Sequence, residues 1–209
     1  MKKNVSIIGL GYIGLPMACV VAKNAHSFYN VKGFDINVQV VDSLKAGKAH
    51  FYEPNLDSAL ALAIDNGIEF STELEKSDIY VICVPTPFLE DGAYTPDLTY
   101  VYSALDRIAS LGAHSCAIII ESTCPVGTTD AAIKYIYKKF GNEFAGEVLG
   151  AYCPERGIPG NTLYEMEFNP RLIGGHNQAS KEFVQNFYSL FIKGPLHVTD
   201  SKVAEMSKL

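Results

Sequence analysis

Through about the first 150 residues, short β-branched apolar runs alternate with stretches in which apolar side chains recur at helical spacing. This is the signature of βαβ units assembled into a mostly parallel sheet with helices on both faces. Val5 to Ile8 reads as a buried strand, Ile13 to Ala25 as a helix and Val31 to Asp35 as the next strand, completing one unit. Asn37 to Ala46 and Asn55 to Ile64 have helical spacing, and Ile68 to Ser71 is a short strand. Asp78 to Val84 is nearly all apolar, as expected of a central strand covered on both faces, and Pro85-Thr86-Pro87 stops it. Asp97 is placed to cap a helix whose Leu98, Val101, Tyr102, Leu105, Ile108 and Ala109 share a face, with Gly112 at its end. Cys116 to Glu121, Thr129 to Phe140 and Glu147 to Tyr152 continue the alternation as strand, helix and strand.

Beyond Tyr152 the pattern changes to a loop bearing proline and glycine, a short strand from Arg171 to Gly174, a helix from Ala179 to Ile192 and a strand near Leu196 to Thr199. A last helix begins at about Ser201, where Val203 and Met206 open an apolar stripe. The chain stops at Leu209 with no capping glycine and nothing for that stripe to pack against, which predicts a piece of a longer protein.

Composition narrows the function classes. With 17 basic and 23 acidic residues the net charge is -6, so no broad basic field exists to grip nucleic acid. No run reaches the roughly 18 to 20 apolar residues of a membrane span, and a cytoplasmic protein with no membrane partner is expected. Cys19, Cys83, Cys116, Cys124 and Cys153 are scattered singly, which fits reduced thiols rather than a disulfide framework or a metal site.

The sharpest local signal is Gly9-Leu10-Gly11-Tyr12-Ile13-Gly14, a GxGxxG set between a predicted strand and a predicted helix. In that context it is a dinucleotide fingerprint: Gly9 permits the tight turn, Gly11 lets a pyrophosphate approach the backbone, and Gly14 lets the helix sit close on the sheet. Amides of Tyr12 and Ile13 at the helix N-terminus would face the phosphates. Asp35 ends the second strand at the distance where a carboxylate accepts hydrogen bonds from the adenosine ribose. A 2'-phosphate would meet its charge there, and no arginine follows nearby, so NAD is expected over NADP. The bland alternatives are an unliganded glycine turn and an aspartate capping the next helix.

Four further strings follow in order: Val84-Pro85-Thr86-Pro87-Phe88, Glu121-Ser122-Thr123-Cys124-Pro125-Val126-Gly127, Pro154-Glu155-Arg156-Gly157-Ile158-Pro159-Gly160 and Ala204-Glu205-Met206-Ser207-Lys208-Leu209. Behind a Rossmann turn, this set resembles the UDP-glucose/GDP-mannose dehydrogenase family over the whole chain, and most closely its UDP-N-acetyl-D-mannosamine dehydrogenase branch. The resemblance implies oxidation of the C6 alcohol of a nucleotide sugar to a carboxylate, by two hydride transfers through a thioester with two NAD molecules reduced.

The resemblance also implies roles for individual residues. Thr86 and Thr123 match threonines that contact the cofactor, and Thr123 one that also helps hold a catalytic water. Alone, each reads rather as a hydroxyl satisfying turn backbone than as a cofactor contact. Glu155 matches a glutamate that acts with water to open the thioester, although the residues by themselves also allow a solvated loop carboxylate. Lys208 matches a substrate-contacting lysine that stabilises the developing alkoxide. Arg156 and Gly157 correspond to substrate-contacting positions. UDP-glucose dehydrogenases carry an aromatic where this chain has Arg156 and an acidic residue where it has Pro159, so these departures point to the acetamido-sugar branch.

The family's asparagine four residues after the lysine and its nucleophilic cysteine do not occur here. The expectation is therefore an NAD-binding Rossmann domain over residues 1–200 and the start of a long linking helix over 201–209, with the dimerisation and C-terminal domains outside the chain. By itself the chain should be inactive, and the full protein should be a homodimer or larger. Kept open are a UDP-glucose or UDP-N-acetyl-D-glucosamine 6-dehydrogenase and a non-catalytic NAD-binding module.

Overall fold

The computed structural model describes residues 2–112, 115–140, 148–155 and 157–209. β1 (Lys3–Ile8) runs through the glycine turn into α1 (Gly14–Ala25), and β2 (Tyr29–Phe34) completes the first unit. There follow α2 (Val38–Lys45), α3 (Leu56–Asp65), β3 (Glu69–Ser71), β4 (Ile79–Ile82), α4 (Thr99–Ser110), β5 (Ala117–Ile120), α5 (Thr128–Phe140) and β6 (Leu149–Tyr152). The remainder is α6 (Thr162–Phe168), β7 (Arg171–Gly175), α7 (Gln178–Tyr188), β8 (Leu196–Asp200) and α8 (Ser201–Met206). All eight strands join one sheet in the order β3-β2-β1-β4-β5-β6-β7-β8, parallel except where β7 runs against β6. This is the expected Rossmann-type, doubly wound α/β architecture.

Burial explains the placement. Every residue of β4 and β5 is buried, as continuous apolar strands require when helices cover both faces. On one face Leu15, Val20, Phe187 and Phe191 join the core; on the other, Leu105, Ile108, Ile133 and Ile136. α1 is apolar almost all round and is boxed between the sheet, α3 and α6, so 10 of its 12 residues are buried. Among the described residues no helix is long and apolar enough to cross a membrane.

The registers align the carboxyl ends of the central strands. Ile8 pairs with Phe34 and Ile82, Ile82 with Ile120, and Ile120 with Tyr152. The next residue of each strand therefore falls in one row: Gly9, Asp35, Cys83, Glu121 and Cys153. The chain order reverses between β1 and β4, so the crevice of the doubly wound sheet opens beside Gly9 and Cys83.

Two expectations are corrected, and a third feature, the face on which the last helix packs, is added. The loop after Tyr152 contains α6, whose N-terminal amides at Gly160 and Thr162 are held from outside by the Glu53 carboxylate at 2.9 and 2.8 Å. A seven-residue helix capped by a residue over a hundred positions away leaves no periodic trace. α7 ends at Tyr188 rather than Ile192, because Leu190 and Phe191 turn tightly onto Phe187 and Tyr188 and the Lys193 amide crosses to the Glu167 carbonyl at 2.7 Å. In α8, Val203 and Met206 face outward, whereas Ala204 and Glu205 are fully buried. The stripe opened by Val203 and Met206 stays exposed, as its lack of a packing surface in the sequence implied, while another face of the helix rests on β7, where Ala204 lies against Gly174.

Candidate cofactor and substrate site

The glycine turn has the geometry its sequence implies. Gly9 has φ +87°, and a Cβ there would stand 2.8 Å from the Cys83 carbonyl oxygen, so conformation and space both demand glycine. A Cβ at Gly14 would meet the Gly9 carbonyl oxygen at 1.7 Å, which is how α1 reaches the end of β1. At Gly11 a Cβ would meet nothing within 4 Å, leaving open space where a ligand can approach the backbone. Ile13 caps α1 without a side-chain hydrogen bond. Among the described residues the amides of Gly11, Tyr12 and Ile13 have no hydrogen-bond partner. Unpaired donors at a helix N-terminus beside open space form an anion cradle.

Asp35 follows β2 directly and is tied in place by two amides, Leu10 N to Oδ2 and Asn37 N to Oδ1, both at 2.9 Å. Asn37 rather than Asp35 caps α2, its Oδ1 accepting the Gln39 amide at 3.0 Å.

These residues line one cleft of about 700 Å³, whose walls include Gly9, Gly11, Tyr12, Ile13, Asp35, Thr86, Thr123 and Lys208. Eight of the residues singled out from sequence therefore meet in one cavity. Gly14, Glu155 and Gly157 are not among its lining residues, and Arg156 lies outside the described residues. The size and mixed lining suit an extended dinucleotide. The fit rests on the cradle of unpaired amides, the open space at Gly11 and the fixed carboxylate of Asp35.

Several lining residues were not legible as site residues. Tyr100, Ser103 and Arg107 project from one face of α4, with the Arg107 guanidinium 5.6 Å from the centre of the Phe34 ring. His50 lines the cleft beside the Tyr12–Phe51 stack, whose ring centres are 4.3 Å apart, and burial lowers the His50 pKa against the pull of Asp35. The only sequence trace of the α4 wall is polar residues at helical spacing, the same as any solvated helix face.

Behind the cleft lies a buried polar cluster. Glu121, at the floor, accepts from the Arg171 guanidinium and the Tyr188 hydroxyl, and Arg171 also donates to Glu155. Glu121, Glu155 and Arg171 are each under 5% exposed, which corrects the solvated-loop alternative for Glu155. Burial holds the Glu121 carboxyl above its usual range despite the adjacent Arg171 charge. Removing one member of such a buried ionic group costs about 3 to 5 kcal/mol, because its partner is left uncompensated. The second oxygen of Glu155 accepts the Gly157 amide, tying the loop that carries this stretch to the sheet.

All five cysteines are free thiols. Cys124 and Cys153 are buried, and burial pushes both thiols up to about 12. Cys83 borders the cleft, but burial and the Glu121 charge raise its thiol well above the ordinary value. Among the described residues, no group of three or more His, Cys, Asp or Glu side chains is placed to hold a metal ion.

Comparison with known proteins places the chain in a family. UDP-N-acetyl-D-mannosamine dehydrogenase of Methanocaldococcus jannaschii is 41% identical over 209 residues, covering 99% of this chain and 47% of that protein. NDP-N-acetyl-D-galactosaminuronic acid dehydrogenase of Ralstonia solanacearum is 38% identical over 99% of this chain and 50% of its own length. The solved UDP-N-acetyl-mannosamine dehydrogenase of Staphylococcus aureus superposes with a TM-score of 0.90 at 36% identity, covering 99% of this chain and 50% of that one. The chain thus spans about half the length of the curated relatives it matches. A model of the UDP-glucose/GDP-mannose dehydrogenase family, NAD binding domain, matches residues 3–192. On its glycine cradle, its Asp35 carboxylate and this match over nearly its whole length, the chain belongs to the UDP-glucose/GDP-mannose dehydrogenase family, as its NAD binding domain.

Proposed function

We propose that the chain is the cofactor-binding portion of an NAD-dependent dehydrogenase that oxidises the C6 alcohol of UDP-N-acetyl-D-mannosamine to the uronic acid. The observation that carries this reading is that Lys208 and Thr123 border the same cleft as the glycine turn and Asp35, so reacting groups and cofactor cradle share one space. In this reading residues 1–200 are the cofactor domain and 201–209 begin a linking helix. The full protein is a homodimer or larger and works in the cytoplasm, where its five free thiols stay reduced.

The bound NAD supplies the hydride acceptor. The amides of Gly11, Tyr12 and Ile13 would hold its pyrophosphate and Asp35 its adenosine ribose, and Thr86 and Thr123 would also contact it. The Lys208 amine receives the proton of the C6 hydroxyl and, as the ammonium so formed, stabilises the alkoxide developing there, and Thr123 helps hold water. Glu155, held by Arg171 and the Gly157 amide, serves as base toward that water in the thioester-opening step. Arg156 and Gly157 contact the sugar. The sulfur nucleophile comes from outside these residues, since none of the five thiols here is both accessible and acidic.

The relatives' names support an acetamido sugar but divide between mannosamine and galactosaminuronic acid, so the galacto configuration is the second reading. A substrate panel on the full-length protein, with NADH formation as readout, tests both. UDP-N-acetyl-D-mannosamine is expected to exceed UDP-glucose in kcat/KM by at least about 100-fold, because a site that pairs a polar substituent rejects analogues lacking it. Faster turnover of UDP-N-acetyl-D-galactosamine would select the second reading. Faster turnover of UDP-glucose or UDP-N-acetyl-D-glucosamine would remove the assignment to mannosamine, and no turnover of any UDP-sugar would leave a non-catalytic NAD-binding module.

A further inference from the structure

We propose that Glu205 is a positioning residue that sets the reactive placement of Lys208, an inference that rests on the role assigned to Lys208 above. Glu205 is fully buried on α8. Its Oε2 accepts the Gly127 amide at 2.5 Å, and its Oε1 accepts both the Thr129 amide at 2.7 Å and the Thr129 hydroxyl at 2.6 Å. These donors belong to the first turn of α5 and the residue before it, directly after the stretch from Thr123 to Val126. A buried carboxylate that takes three donors at a helix N-terminus makes a strong, charge-assisted contact and favours a single geometry.

Lys208 lies one turn further along, its amide donating to the Glu205 carbonyl at 3.1 Å. Two neighbours fix the same helix from its other sides. A Cβ at Gly174 would stand 2.5 Å from the Ala204 methyl and 2.9 Å from Ser201 Cα, so α8 and β7 are in closest contact and cannot slide past each other. Lys202 reaches Asp130 on α5 at 3.4 Å. A helix of six residues has no stability of its own, so its place is set by such anchors. Glu205 is the anchor that joins the Thr123 segment and the Lys208 segment into one body. Both segments line the cleft, and a shift of about 1 Å between reacting groups costs on the order of 100-fold in rate.

The test is a mutant cycle in the full-length enzyme, comparing Glu205→Gln, Lys208→Ala and the double variant for kcat, KM and NAD affinity. Glu205→Gln keeps the shape but places an NH2 group against one of the donors. It is expected to lower kcat about 10- to 100-fold while the NAD Kd stays within about 2-fold. In the Lys208→Ala background the same change should cost less than about 2-fold, because a residue that acts through Lys208 has nothing left to position. Thr129→Val, which removes only the hydroxyl donor, should move kcat the same way by about 3-fold, and it carries the test if Glu205→Gln does not fold. Full multiplication of the two effects, or an unchanged kcat in Glu205→Gln beside a crippled Lys208→Ala, overturns the proposal alone. An unimpaired Lys208→Ala removes the underlying role of Lys208 and the proposal with it.

Discussion

Asp35 Oδ2 accepts the backbone N–H of Leu10 at 2.9 Å, so the acidic residue after β2 and the glycine turn after β1 form one hydrogen-bonded unit. The carboxylate thus both shapes the turn and presents negative charge at the cleft. Asp35→Asn separates the two roles, because the amide oxygen can still accept from Leu10. Calorimetry on this chain should find NAD bound more tightly than NADP, and the gap should narrow at least about 10-fold in Asp35→Asn as like-charge repulsion with the 2'-phosphate is removed. Equal affinities in the unmutated chain would defeat the argument from Asp35.

Gly11 and Gly14 should respond oppositely to alanine. Gly14→Ala drives a methyl into the Gly9 carbonyl oxygen, 1.7 Å away, and should cost about 3 kcal/mol in urea denaturation. Gly11→Ala meets no protein atom within 4 Å, so stability should change by less than about 0.5 kcal/mol. The methyl would nevertheless occupy the space left for the pyrophosphate, and NAD affinity should fall at least about 10-fold. A Gly11→Ala variant that binds NAD normally would show that the cofactor does not approach there.

Acid sensitivity should be traceable to Glu167, which is held by Lys23 at 3.0 Å and Lys193 at 2.5 Å. Burial raises its pKa, but the two lysines outweigh burial and leave it below 4.5. For a carboxyl depressed in the folded state, the stabilisation is present above the unfolded value and is lost as pH falls through the lower folded value. Both lysines are about half exposed, so the contribution is discounted to about 1 kcal/mol. Glu167→Gln should lose that amount in urea titrations near about pH 7 and almost none near about pH 3. A deficit independent of pH would assign the effect to packing instead.

The isolated chain is expected to bind NAD without completing the oxidation. With the Cys124 and Cys153 thiols pushed up to about 12, only about one in 10⁵ is thiolate at neutral pH. Mixed with NAD and UDP-N-acetyl-D-mannosamine, the 209 residues should release no sustained NADH while still binding cofactor by calorimetry. Two NADH per sugar would mean that a resident thiol does work assigned above to a nucleophile elsewhere.

The βαβ alternation, the glycine turn and the acidic residue after β2 could be read from the amino-acid order because each is a local property. Side-chain period follows from backbone geometry, and a φ of +87° or a 1.7 Å approach can be met only by glycine. The motif residues Thr86, Thr123 and Lys208 were legible only as a resemblance, and the fold brought them to one cleft with Gly9 and Asp35. What tertiary structure alone decided are pairings between distant charges and backbone groups. Glu53 holds the amides that start α6, Glu205 those that start α5, and Arg171 sits between Glu121 and Glu155. In sequence each of these acids resembles an exposed surface residue, since composition and period record how often side chains meet water and not which buried donor they find. For the same reason the sequence showed the apolar Val203 and Met206 of α8 but not its buried face, where the narrow approach to Gly174 and the amides at the start of α5 placed Ala204 and Glu205.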